Sequence, residues 1–163
     1  MKVFNNPKKA VVMILIVIGL FIAYKAKATE IEGGATYASG FNDGYALSLI
    51  ERVGGDKFDL GVTLVGEQTY ERENTIVENN GSIWFGYVAK KPERWWAVLP
   101  TEVTIGAAHW IETNRFIGCQ QGYMLALKWR FLEDASIGIR HWSNAGVCKP
   151  NRGQDLLTIG WRF

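Results

Sequence analysis

After residue 28, no stretch of this 163-residue chain repeats its apolar residues at helical spacing, which sets helical folds aside. Histidine and cysteine are scarce, two of each. No His/Cys/Asp cluster has ligand spacing, so neither a metal nor any other cofactor is expected. A basic excess is missing too once the first 28 residues are set apart. All 16 acids follow Ala28, whereas five of the 18 Lys and Arg precede it, leaving 13 bases against 16 acids, a net charge of −3. Nothing in that balance points to a nucleic-acid partner. No Pro-rich, Ser-rich or like-charged linker divides residues 29–163, and no motif repeats, so they read as one domain.

What is present at the start is a basic opening with Lys2, Lys8 and Lys9, an uncharged run from Ala10 to Tyr24, and an Ala-x-Ala ending at Ala28. These are the three parts of a secretory signal peptide, with cleavage expected after Ala28. The 15-residue run falls short of the roughly 20 apolar residues that an anchor helix needs. Export follows, and in an oxidising compartment Cys119 and Cys148 are expected to form a disulfide, the alternative being two free buried thiols. Both fall in expected loops at the same end of the molecule.

Along the remaining chain the signal is alternation. Odd positions in Tyr123 to Phe131 are large and apolar, while the even ones include Lys128 and Arg130. Ile137 and Ile139 alternate with Ser136, Gly138 and Arg140, and Leu157, Ile159, Trp161 and Phe163 with Leu156, Thr158, Gly160 and Arg162. Period two means strands with one apolar face each. The other face mixes Glu102, Lys128, Arg130, Arg140 and Arg162 with Gly, Ala and Ser, which suits a narrow barrel with a polar, side-chain-filled lumen better than a soluble sandwich. Phe85, Tyr87, Trp95, Trp96, Trp129, Phe131, Trp161 and Phe163 gather near expected strand ends as interfacial girdles.

The expectation is therefore all-β: an eight-stranded antiparallel transmembrane β-barrel in the bacterial outer membrane after a cleavable signal peptide. Strands are expected near 31–38, 44–52, 57–67, 81–89, 101–110, 121–131, 135–143 and 155–163. The connections 39–43, 68–80, 111–120 and 144–154 then face outward, with 53–56, 90–100 and 132–134 in the periplasm. The charged segment 68–80 reads as a solvated loop, and 94–99 could extend a strand before Pro100.

Against this background one cluster carries chemistry. His141 and Ser143 are separated by one residue, so on a strand they project from the same face, as a base must to reach its nucleophile. Their odd numbering puts them on the lipid side with Ile137 and Ile139. Asp155 opens the last strand on the same outward set. A register with Ser143 opposite Asp155, His141 opposite Leu157 and Ala135 opposite Phe163 makes Asp155 a diagonal neighbour of His141, roughly 7–8 Å away. That is within reach for an acid orienting the imidazole, as in a Ser-His-acid triad. The plainer reading makes them ordinary rim residues. His109 lies on an odd position too, but nothing beside it resembles a partner, and it is read as structural.

The run His141-Trp142-Ser143-Asn144-Ala145-Gly146, followed by Lys149-Pro150-Asn151, Gly153 and Asp155, resembles the signature of the lipid A 3-O-deacylase family, PagL-like outer-membrane enzymes. That family has an eight-stranded barrel, a His-x-Ser-Asn motif and an acid some 14 residues beyond the His, and the interval from His141 to Asp155 is also 14. The resemblance implies Ser143 as nucleophile, His141 as general base and Asp155 as orienting acid, with Asn144 and the backbone N–H of Gly146 stabilising the oxyanion. The family typically has Glu where this chain has Asp155, one methylene shorter. The implied reaction is hydrolysis of the ester joining a 3-hydroxyacyl chain to the 3-position of lipid A, the substrate and partner being lipopolysaccharide in the surrounding leaflet. Lys149 and Arg152 in the adjacent loop are candidates to hold its phosphates, the equal alternative being an ordinary solvated loop. The rival readings are a related outer-membrane phospholipase and a non-catalytic barrel for adhesion or membrane integrity. Oligomeric state is not encoded in any of these features.

Overall fold

The computed structural model describes residues 29–37, 41–70, 75–90, 98–114, 116–150 and 152–163. The expected signal peptide over 1–28, the girdle residues Trp95 and Trp96 and the charges Glu71, Arg72 and Glu73 lie outside them. The strands are β1 Thr29–Tyr37, β2 Phe41–Val53, β3 Phe58–Val65, β4 Gln68–Tyr70, β5 Thr75–Val77, β6 Asn80–Lys90, β7 Glu102–Trp110, β8 Gln121–Arg130, β9 Ala135–Ser143 and β10 Gln154–Arg162. Eight of them close an antiparallel barrel in the order β1-β10-β9-β8-β7-β6-β3-β2. Each of the eight lies within three residues of its expected bounds, the largest difference being β2, which starts at Phe41 inside the expected connection 39–43.

The segment 68–80 departs from the expected loop. There β4 and β5 pair as a separate two-stranded sheet, Gln68 opposite Val77. Thr69, Tyr70, Thr75, Ile76 and Val77 are β-branched or aromatic and favour strand.

The outward face is apolar. Ile31, Leu47, Leu60, Ile83, Ile105, Ile137, Ile139, Leu157 and Ile159 are all exposed, and Phe85, Tyr87, Phe131, Trp161 and Phe163 add exposed rings. An outside of this kind is the surface of a barrel solvated by lipid.

The lumen has two layers. Towards the short turns it is ionic. Glu30 accepts from Lys128 at 2.9 Å, Arg130 at 2.7 Å and Ser136 at 2.9 Å. Glu32 pairs with Lys128 at 2.7 Å and Arg140 at 2.6 Å, and Glu102 with Arg52 at 2.9 Å and Arg130 at 3.2 Å. Arg52 also holds Asp59. Arg162 stands at the mouth, 3.7 Å from Glu30 and 3.9 Å from Glu102. Towards the long connections the filling is apolar and aromatic, so the polar, side-chain-filled lumen expected from sequence holds for one layer only. Trp84, Trp110, Trp142, Met124 and Leu156 are buried, and Phe116 and Ile117 of the connection 111–120 reach the same cluster. Trp110 meets Trp142 edge to face at 5.4 Å, and the Arg140 guanidinium lies 4.5 Å from the Trp84 ring, joining the two layers.

Removing one partner of a buried ion pair leaves the other charge uncompensated at a cost of about 3–5 kcal/mol. Glu30→Ala is therefore expected to lower the urea midpoint of the detergent-folded barrel by the equivalent of about 3 kcal/mol. An unchanged midpoint would show that the network contributes no stability.

Candidate active site

Arg140 and Trp142 point into the lumen, so period two sends His141 and Ser143 to the outer wall of β9. On β10, Gln154 and Leu156 are buried inside, which turns Asp155 outward on the neighbouring strand. The register differs from the expected one. Asp155 stands directly opposite His141, Leu157 opposite Ile139 and Trp161 opposite Ala135. The offset is two residues, which leaves every side chain on its expected face and only moves the acid along the strand. Face follows from alternation; which outward residue meets which depends on the turns and the neighbouring strands.

In this register the imidazole Nδ1 and the Asp155 Oδ1 are 2.6 Å apart. Nδ1–H donates to the carboxylate in the neutral tautomer that leaves Nε2 free of its proton. Both side chains are about one-third exposed, 34% and 33%. On the other flank of His141 lies Tyr123 of β8, its ring 6.0 Å away and tilted by 50°. Ser143, opposite Tyr123 in the β8–β9 ladder, is buried to 6% exposure, and its Oγ accepts the backbone N–H of Ala145 at 3.3 Å. Ser143, His141 and Asp155 thus occupy neighbouring places on one outward patch at the end of the barrel that carries the long connections.

The two residues implied as oxyanion donors are placed differently from the simple expectation. The Gly146 N–H donates to Asn144 Oδ1 at 3.0 Å, and Asn144 Nδ2 donates to the Cys148 carbonyl at 3.1 Å. Both are held inside the turn that follows Ser143. His109 is exposed, its Nδ1 3.4 Å from Gln121 Nε2 on the next strand.

The segment after Ser143 is fastened to the connection 111–120. Cys119 and Cys148 form a disulfide with Cα atoms 5.6 Å apart. The Arg152 N–H donates to the Phe116 carbonyl at 3.1 Å, and Gly118 packs so tightly on the Lys149–Pro150 backbone that a Cβ would fall 2.5 Å from the Pro150 carbonyl oxygen. Phe116 and Ile117, buried in the lumen, anchor this arrangement. Sequence reading missed their part, although two adjacent large apolar residues in the middle of a connection whose other residues after Ile111 are Glu, Thr, Asn, Arg, Gly, Cys and Gln are a visible sign of a loop that turns inward. Outside, Gly146, Lys149, Pro150 and Arg152 line a shallow open depression beside the site.

A closed eight-stranded barrel with an apolar outside, an ionic inside and a Ser, His and Asp set at its rim belongs to the outer-membrane β-barrel enzymes, and the chemistry it presents is that of a hydrolase. The family model described as lipid A 3-O-deacylase (PagL) matches residues 56–163, which hold β3 to β10 and all of the site, and the chain belongs to that family. Among solved structures it is similar to the crystal structure of the outer membrane enzyme PagL, at 20% identity and a TM-score of 0.49, over 83% of this chain and 98% of that one. No curated protein sequence matches it.

The cross-link between the two connections closes a loop of 29 residues, which should stabilise the barrel by about 2–4 kcal/mol. Reduction of the folded protein, or Cys119→Ser, is expected to lower the thermal midpoint accordingly. Recovery of two alkylated cysteines from unreduced, denatured protein would remove the cross-link from the account.

Proposed function

We propose that the chain removes the 3-O-linked acyl chain of lipid A in the outer membrane with a Ser143-His141-Asp155 triad. The observation that carries the residue assignment is the 2.6 Å contact of Asp155 with His141 Nδ1, on a barrel face that also presents Ser143 one strand position away. His141 Nε2 takes the proton of Ser143 Oγ as that oxygen attacks the ester carbonyl. The tetrahedral intermediate collapses, His141 returns the proton to the departing 3-oxygen of lipid A, and the acyl chain stays on Ser143. Water, activated by the same imidazole, then releases the 3-hydroxy fatty acid. Asp155 holds the tautomer and stabilises the imidazolium that forms in each step.

For the oxyanion, the Gly146 N–H and the Asn144 amide are the proposed donors. Each would exchange a neutral acceptor within the turn, Asn144 Oδ1 or the Cys148 carbonyl, for the substrate's developing negative oxygen. A charged acceptor gives a hydrogen bond roughly twice as strong as a neutral one, which favours that exchange in the transition state. Lys149 and Arg152, at the depression beside the turn, are the proposed partners of the lipid A phosphates. Residues 1–28 are proposed to be the export signal, cut after Ala28.

Ser143→Ala and His141→Ala are each expected to abolish the loss of one 3-hydroxyacyl chain from lipid A, read by mass spectrometry of lipid A from cells expressing the chain. The barrel should still fold, because neither side chain fills the lumen. Wild-type deacylation by purified Ser143→Ala would sink the nucleophile assignment.

Asp155→Asn should lower turnover by about 10²–10⁴ through loss of the correct tautomer, and Asp155→Glu should retain activity. An Asp155→Asn protein with unchanged turnover would leave a Ser-His pair without its orienting acid.

A further inference from the structure

Gly153 sits immediately before β10, buried, with φ at +73°. That left-handed conformation turns the chain in against the imidazole of the base. A Cβ built on Gly153 would stand 2.7 Å from His141 Cε1, 3.5 Å from Nδ1 and 3.2 Å from the Trp142 carbonyl oxygen. The first of these is shorter than real carbon contacts allow, so a side chain here forces something to move. The Trp142 carbonyl belongs to β9, paired with Gln154 at the start of β10, and is fixed by the ladder. The imidazole is the part that can give, and it is the part whose orientation the proposed chemistry needs.

We infer that Gly153 is a positioning residue for His141: the absent side chain leaves the seat in which the imidazole lies, and the backbone there keeps the ring turned with Nδ1 on Asp155. The inference rests on the proposed triad. Tyr123 borders the ring on the β8 side and Gly153 on the β10 side, so the histidine is held between a ring and a bare backbone while Asp155 fixes its rotation. Nε2 is then left as the nitrogen available to Ser143.

A misplacement of about 1 Å in a catalytic group costs on the order of 10² in rate. Gly153→Ala is expected to lower kcat about 30–100-fold, with KM for lipid A changed less than about twofold because the Gly146, Lys149 and Arg152 surface is untouched. Backbone strain is separated from ring displacement by Gly55→Ala, where φ is +65° but the space around the built Cβ is open. That variant meets the same conformational penalty at the opposite end of the barrel and should keep wild-type kcat. Gly153→Asn, whose residue tolerates a left-handed backbone, keeps the clash with less strain and should show the same loss of kcat even if the alanine variant folds poorly. In the NMR spectrum of folded Gly153→Asn, the low-field resonance of the His141 Nδ1 proton should disappear.

A double-mutant cycle with Asp155→Asn closes the test. If Gly153 acts through the His141–Asp155 bond, Asp155→Asn should cost far less in the Gly153→Asn background than in the wild type. An equal cost in both backgrounds, or a Gly153→Asn kcat within twofold of wild type, overturns the role of Gly153 and leaves the triad standing. An Asp155→Asn single variant at wild-type turnover would instead overturn the triad reading on which the inference rests.

Discussion

Glu30 and Glu32 of β1 receive Lys128 and Arg130 from β8 and Arg140 from β9, and this pairing inside the lumen fixes what the outside can present. Charged groups shut away from water must be paired or the structure cannot hold them. With Arg140 committed to Glu32 and stacked near Trp84, the next residue of β9 has nowhere to go but outward. His141 is that residue. The same logic runs on β10, where Leu156 and Thr158 are buried inside and Asp155 and Leu157 face out. The triad proposed here is thus the outer side of a pattern whose inner side is an ion network.

The apolar upper layer of the lumen serves the site in a second way. Trp142 lies between His141 and Ser143 in sequence and packs inside against Trp110, so the strand carrying both catalytic candidates is anchored by a buried ring from behind. Phe116 and Ile117 bring the connection 111–120 into the same cluster. The disulfide and the Arg152–Phe116 hydrogen bond then pass that rigidity to the turn after Ser143. The proposed nucleophile, on the outer wall of a membrane barrel, has no surrounding protein core, and here the filled lumen replaces it.

Alternation made the strands and the faces of His141, Ser143 and Asp155 legible, because a one-residue error would have put Leu156 in lipid and Asp155 in the lumen. The two-residue offset between the expected and observed β9–β10 registers was not legible. Ser143 opposite Asp155 and His141 opposite Asp155 give the same inside and outside, and only the ladder with the neighbouring strands separates them. The local bonds of Asn144 were equally hidden. A motif names Asn144 beside the nucleophile, but whether its amide points to a substrate or to Cys148 depends on a turn in which Ala145 and Gly146 both take positive φ, 55° and 79°. Gly153 was visible as a letter of the motif, while its contact with the imidazole needed coordinates.

An ester hydrolase acting on a lipid in its own leaflet has to reconcile a substrate that arrives through hydrocarbon with a second step that consumes water. The position of the His141–Asp155 pair meets both demands. Below it on the same face run Leu157, Ile159, Ile139 and Ile137, all exposed and apolar, the surface along which acyl chains already lie. Above it, Gly146, Lys149, Pro150 and Arg152 form an open depression, to which Lys149 and Arg152 bring the proposed phosphate partners. Partial exposure of His141 and Asp155, at one-third, suits the proposed triad at this boundary: the carboxylate is shielded enough to hold the imidazole, and the pair is not closed off from its surroundings. A triad one turn of the ladder deeper would lose the water, and one in the loops would lose the lipid, so the end of β9 is where this chemistry can be done on a barrel wall.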